Sequence, residues 1–275
     1  MITNVSICVN NLAKSNYAAL AACRFAERHN ASISAVYIKL DTVEIVRWSG
    51  SSPIDLADQI LVNESKLEED AKDLFESLSQ PFSCEKVWKT VNQSEDPVTQ
   101  LLCTDLIFAD QPTGEDLSYF GDKSFLNHLI LQTKRPVVMI PDGWDQAEMG
   151  TSVLLGWNKS AEAMRAVADA LPILQSASET RILQIASSSM FHAEPTEAPD
   201  IEAYLLGKGV ESDLTVEGVS KHESEEATLL KWAADNNINL IVIGGYGHSR
   251  WREVVMGGMT SHLIAHSTIP VLLSH

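Results

Sequence analysis

Basic residues are scarce in this chain: 20 Lys plus Arg stand against 37 Asp plus Glu, a formal net charge of −17 over 275 residues. Nucleic acid is therefore not an expected partner, because phosphate recognition needs a basic stripe from which counterions are released. Cutting the chain at Glu148 leaves both halves acidic, so neither conceals a basic domain. Long apolar runs are missing too. None approaches the roughly 20 residues that span a bilayer, so no membrane partner is expected. Cysteine is limited to Cys8, Cys23, Cys84 and Cys103, far apart and without a C-x-x-C pair. Such cysteines read as buried thiols in a reducing compartment rather than as a disulfide framework. The segment opening Met1-Ile2-Thr3-Asn4-Val5 has neither a basic n-region nor a signal-length apolar stretch, so a cytoplasmic protein is expected. Enzyme signatures are absent as well: there is no G-x-x-x-x-G-K-[ST] phosphate loop and no G-x-S-x-G elbow.

With 45% hydrophobic and 21% charged residues the chain can bury a core, and its length suits about two domains. Short apolar runs alternate with helix-patterned segments, the signature of a parallel sheet wrapped by helices. The first half offers strands at Val5–Val9, Ser32–Ile38, Cys84–Val91, Asp105–Ala109 and Pro136–Ile140. The second half repeats the order at Val153–Trp157, Arg181–Ala186, Glu211–Val216, Leu240–Ile243 and Pro270–Leu273. Helical spacing places Ala19, Ala22, Cys23 and Ala26 on one face of Asn16–His29, and Ile60, Leu67, Ala71, Leu74 and Leu78 on one face after Pro53. Lys14-Ser15 recurs as Lys159-Ser160, Asp105-Leu106-Ile107 as Asn239-Leu240-Ile241, and Pro136-Val137-Val138 as Pro270-Val271-Leu272. The last two pairs share one offset, as expected of a tandem duplication. Domains at 1–143 and 150–275 follow, joined by the turn-rich stretch Pro141–Gly150. That join is too short for free swinging, so the halves are expected to pair within the molecule. Ser187–Pro199 and Asp110–Asp122 are the expected loops.

The chemistry concentrates in Ile243-Gly244-Gly245-Tyr246-Gly247-His248-Ser249-Arg250, followed by Gly257-Gly258-Met259-Thr260. A buried strand that runs into glycines lets a ligand reach main-chain N–H groups, and a helix opening at Gly257-Gly258 adds unpaired N–H groups and a positive dipole end. Together they can cradle a polyphosphate. Equally, the glycines can serve a tight strand exit and a close helix–sheet contact; spacing alone leaves both readings open. Gly244-x-x-Gly247 followed, after nine intervening residues, by Gly257, with Thr268-Ile269-Pro270-Val271 beyond, resembles the nucleotide-binding signature of the universal stress protein family.

The resemblance implies an α/β fold: two tandem doubly wound five-stranded parallel-sheet domains of order 3-2-1-4-5, adenine-nucleotide alpha-hydrolase-like. It also implies ATP, with Mg2+, at the carboxyl ends of the second domain's strands. By the same resemblance Trp157 and Asn158 fall at the adenine and ribose end, and Ile185 lies beside the base. Ile243, Gly244 and Gly247 follow the ligand towards the phosphates, which Gly257, Gly258 and the Met259 main chain meet. Asn158 stands where ATP-binding members usually carry an acid, and Gly258 where they carry Ser or Thr, so Thr260 is the candidate replacement hydroxyl. His248 and Arg250 are the basic candidates for phosphate contact, with plain solvent exposure as the alternative. In the first half Asp110-Gln111-Pro112 stands where the second half has glycines; proline lacks an N–H and carboxylates repel phosphate. At most one nucleotide per chain is expected.

His262 and His266 share a helix face at i, i+4 but lack a third ligand at zinc spacing, so no metal site is expected. Glu68-Glu69-Asp70 and Glu223-x-Glu225-Glu226 read as solvated helix faces. Three functional readings stand: a stress-response protein that binds ATP or a related adenine nucleotide as sensor or switch; a nucleotide-independent interaction or small-molecule module; and a slow ATPase or phosphoryl-transfer enzyme using His248 or Arg250. No catalytic residue is assigned. Pairing of Pro136–Ile140 with Pro270–Leu273 inside one chain leaves a homodimer open.

Overall fold

The structure, a computed structural model, describes residues 1–10, 12, 16–39, 53–92, 97–112, 123–146, 148–186, 200–219, 223–245 and 258–275. The expected loops at Ser187–Pro199 and, from Thr113 on, at Asp110–Asp122 lie outside these residues, as do Lys14 and Ser15. In chain order the first half runs β1 (Asn4–Cys8), α1 (Tyr17–His29), β2 (Ser32–Lys39), α2 (Pro53–Ser79), β3 (Lys86–Asn92), α3 (Pro97–Leu101), β4 (Leu106–Asp110), α4 (Lys123–Thr133) and β5 (Val137–Ile140). The second runs β6 (Ser152–Gly156), α5 (Ala161–Leu174), β7 (Glu179–Ala186), α6 (Ile201–Leu206), β8 (Asp213–Gly218), α7 (Glu225–Asp235), β9 (Leu240–Gly244), α8 (Gly258–His266) and β10 (Val271–Ser274). All ten expected strands form. Asp110, read as the start of a loop, instead closes β4.

By its contacts the chain divides into two compact units: one is Pro136–His275 with Met1 and Gln111–Thr113, the other Ile2–Asp110 with Gly114–Arg135. In the latter, β3-β2-β1-β4 is a parallel sheet, with Asn4 opposite Ser32 and Val5 opposite Leu106. In the former, β8-β7-β6-β9-β10 is parallel, which is the order 3-2-1-4-5 counted from β6, and β5 runs antiparallel to β10 with Leu272 opposite Val138. Every residue of Leu240–Ile243 and of β10 is buried. Since successive strand residues point to opposite faces, both faces of that sheet are covered, as in a doubly wound α/β fold.

One recurrent pair explains why the duplication is visible in the sequence. Asp105 Oδ2 accepts from the Thr3 N–H at 2.7 Å, the Thr3 hydroxyl at 2.9 Å and the Asn4 N–H at 3.2 Å. Its counterpart Asn239 uses Oδ1 to accept from the Gly150, Thr151 and Ser152 N–H groups at 2.9, 3.1 and 3.0 Å. Each side chain, set just before its unit's fourth strand, pins the entry of the first. The carboxyl of Asp105 is pushed up by burial, but the Thr3 and Asn4 donors and the nearby Arg135 charge outweigh this and hold it below the usual carboxylate range.

Two expectations are corrected. Leu67 does not face the core of α2: it is 57% exposed, while Glu64, Phe75 and Ser79 are buried. The inward face is rotated because it serves a polar partner, the Tyr37 hydroxyl donating to Glu64 at 3.1 Å, with Lys39 and the Thr90 hydroxyl meeting Glu68 at 2.8 and 2.5 Å. Glu68 is thus a paired side chain rather than a merely solvated one. Among the cysteines only Cys23 is buried; Cys8 and Cys84 are half-buried and Cys103 is exposed, lying in the turn before β4 rather than in the strand. Burial pushes the Cys8 thiol up to about 12, so it stays a protonated, unreactive thiol at neutral pH. No described helix is long and apolar enough to cross a membrane.

Candidate functional site

At the carboxyl end of β6 the chain turns sharply. The Trp157 N–H continues the β6–β7 ladder by donating to the Leu183 carbonyl at 2.9 Å, and the Trp157 side chain is only 4% exposed. Asn158 Oδ1 accepts from the Ser160 N–H at 3.1 Å, Lys159 takes a left-handed φ of 61°, and Ser160 caps α5 by accepting from the Ala163 N–H at 3.1 Å. This turn aims the start of α5 at the exit of β9, where Gly244 lies.

Gly244 has a packing role. A Cβ built there would lie 2.3 Å from the Glu162 carbonyl carbon and 2.5 Å from the Ala163 nitrogen, distances no side chain tolerates. Its lack of a side chain is therefore required by the contact between β9 and the first turn of α5. The corresponding position in the first half is Asp110, whose Oδ1 accepts from the Ala18 N–H at 3.1 Å. There, a side chain from the strand caps α1, for which Asn16 supplies no side-chain cap. Asn10, the counterpart of Asn158, also differs: it clasps the Ile38 backbone, accepting from its N–H at 3.0 Å and donating to its carbonyl at 2.7 Å. Ile38 corresponds to Ile185. In the first half, then, side chains bond the backbone at the end of β2 and in the first turn of α1.

In the second half the same region is a cavity of about 430 Å³, within the range of about 300–1,000 Å³ usual for small-molecule sites. Its wall brings together Trp157, Asn158, Ile185, Ile243, Gly244, Gly258, Met259 and Thr260, drawn from four separate segments of the chain. Gly247, His248, Arg250 and Gly257 lie outside the described residues. Sequence reasoning missed Leu183 and Leu229, which extend the apolar wall, and Glu162 and Glu225, which line it. Glu225 is exposed, as read from the sequence, and also lines the cavity; Glu226 is half-buried, with Oε1 2.9 Å from where a Gly258 Cβ would stand. Their position in the first turn of α7, behind the Ser224 cap, gave no signal, because acids there simply complement the helix dipole. Glu226 is held below the usual carboxylate range by its own backbone N–H and the Ser224 hydroxyl, against the opposing effect of burial, with His262 adding a smaller favourable charge.

Thr260 is buried and lines the cavity. The His262 and His266 rings lie 4.6 Å apart between centroids, and among the described residues no three His, Cys, Asp or Glu side chains are grouped to hold a metal ion.

The second unit is a doubly wound α/β domain, with this cavity at the carboxyl ends of β6, β7 and β9, where the strand order reverses and where ligands bind in open α/β sheets in general. Residues 149–275 match the model of the universal stress protein family, so this segment is a domain of that family. A curated relative, Universal stress protein Slr1230 of Synechocystis sp., is 41% identical over 47 residues, a stretch spanning 17% of this chain and 16% of that protein. Over nearly full length the fold is similar to the crystal structure of a universal stress protein from Archaeoglobus fulgidus, with TM-score 0.69, 14% identity and coverage of 98% of this chain and 97% of that one. It is also similar to a candidate universal stress protein from Pseudomonas aeruginosa, with TM-score 0.59, 14% identity and coverage of 99% and 93%.

Proposed function

We propose that the second half of the chain binds an adenine nucleotide in this cavity and acts as a stress-response sensor or switch, without an assigned turnover step. The observation that carries the reading is the convergence of Trp157, Asn158, Ile185, Ile243, Gly258 and Met259 on one cavity at the switch point of the sheet. Ile185, Leu183 and Ile243 offer an apolar wall suited to a flat base, and Asn158 stands at its polar edge. The first turn of α8, opening at Gly258, offers N–H groups towards the far end. The family match of residues 149–275 supports the same reading. The side-chain bonds of Asn10 and Asp110 to backbone in the first half favour a single ligand per chain. A cytoplasmic setting belongs to the same proposal.

The residues fit the adenine end better than the polyphosphate end, where Glu225 lines the wall and Glu226 flanks Gly258. When bound, a magnesium nucleotide would carry its metal on its own phosphates; this chain's residues would hold the base and ribose. The test is calorimetric titration of the nucleotide-stripped chain with adenosine, AMP and Mg-ATP. At least one adenine ligand should bind one site per chain, with Ile185→Ala weakening it about tenfold, equivalent to about 1.4 kcal/mol. Absence of binding by all three to millimolar concentration, checked by equilibrium dialysis, refutes the proposal.

A further inference from the structure

Carboxylates stand around the cavity. Among the described lining residues there are two acids, Glu162 and Glu225, and no Lys, Arg or His. A third acid, Glu226, stands beside the opening residue of α8, the very helix terminus that would receive a phosphate. That terminus offers the equivalent of about half a positive charge. Among the described residues, Glu225 on the cavity wall and Glu226 beside Gly258 add negative charge near that end, with His262 close to Glu226, so the described acids there oppose an anion. A phosphate placed at Gly258 would meet the Glu226 carboxylate.

Resting on the reading that the cavity takes an adenine ring, we propose that Glu225 and Glu226, with Glu162, are specificity-determining residues that make this a site for adenine ligands of low negative charge, the nucleoside before the monophosphate and the triphosphate last. The carboxylates suit hydroxyl or cationic substituents, to which they can act as acceptors, and oppose polyphosphate. The site would then report on the dephosphorylated end of the adenine pool, and the reactions that supply its ligand are those that remove phosphate from adenine nucleotides.

The titration series decides this. Expected are adenosine at least tenfold tighter than Mg-ATP, AMP between them, and an adenosine-to-ATP affinity ratio that falls at least tenfold in the Glu225→Gln, Glu226→Gln double variant. Glutamine keeps the shape of both side chains. Should that variant fail to fold, wild type carries a second readout: ATP affinity rises with added salt as repulsion is screened, whereas a basic phosphate site weakens. ATP binding as tightly as adenosine, or weakening with salt, overturns the inference while leaving adenine binding intact. Failure of every adenine ligand to bind overturns the functional reading and this inference with it.

Discussion

Replacing Gly244 with alanine tests whether packing explains the first glycine of the signature. The added Cβ would stand 2.3 Å from the Glu162 carbonyl carbon, 2.5 Å from the Ala163 nitrogen and 2.6 Å from the Glu162 oxygen. Comfortable contact needs about 3.5–4.0 Å between carbons, so α5 or the end of β9 must retreat by roughly 1 Å. All three obstructing atoms are backbone, with no rotamer to yield. Overpacking of this kind costs about 1–3 kcal/mol, and rigid neighbours put this site near about 3 kcal/mol. For a unit of this size that is a fall of roughly 6–12 °C in Tm. Gly245→Ala is the internal control: its Cβ would meet only the Ser274 carbonyl oxygen at 3.6 Å, so it is expected to be neutral or to stabilise by up to about 1 kcal/mol through the unfolded chain. Differential scanning calorimetry of both variants measures the difference. A Gly244→Ala transition within 1–2 °C of wild type, or a loss equal to that of Gly245→Ala, refutes the packing argument.

Asp110→Ala removes the carboxylate that caps α1 from the neighbouring strand, and urea denaturation should show a loss of about 1 kcal/mol, whereas an unchanged midpoint would mean the Ala18 N–H is satisfied equally well by water. Asp105, whose folded pKa is depressed, stabilises above its unfolded value of about 3.9 and loses that contribution as pH falls through the folded value. The stability gap between wild type and Asp105→Asn should therefore be fully present at neutral pH and close as pH falls below the unfolded carboxylate value; a gap independent of pH would refute the assignment.

The strands were readable because each is a short apolar run bounded by polar turns, and the Asp105/Asn239 recurrence marked a shared job at the entry of the sheet. Leu67 misled because α2 turns Glu64 and Glu68 inward towards Tyr37 and Lys39, a polar face that apolar periodicity cannot locate. The family resemblance places Trp157, Ile185 and Ile243 near one another, and each does stand at the end of a strand on the cavity wall. The approach of Glu226 to Gly258 could not be read this way, since it depends on how α7 lies beside α8, a tertiary relation that first-turn acids do not encode. Gly244 stood between two explanations in the sequence, and the approach of the α5 backbone supplies a sufficient physical reason for glycine there. The Gly258 departure also changes meaning: a serine hydroxyl at 258 would have the Glu226 carboxylate within reach as an acceptor, so it would not simply restore a phosphate donor.

Binding and its location can be read together by methyl NMR of the full chain labelled at isoleucine, leucine and methionine and titrated with adenosine. The account predicts saturable shifts at Ile185, Ile243, Leu183, Leu229 and Met259, with Ile33 and Ile107 in the first half unmoved. Saturable shifts confined to the first half, or none anywhere up to millimolar ligand, would contradict it.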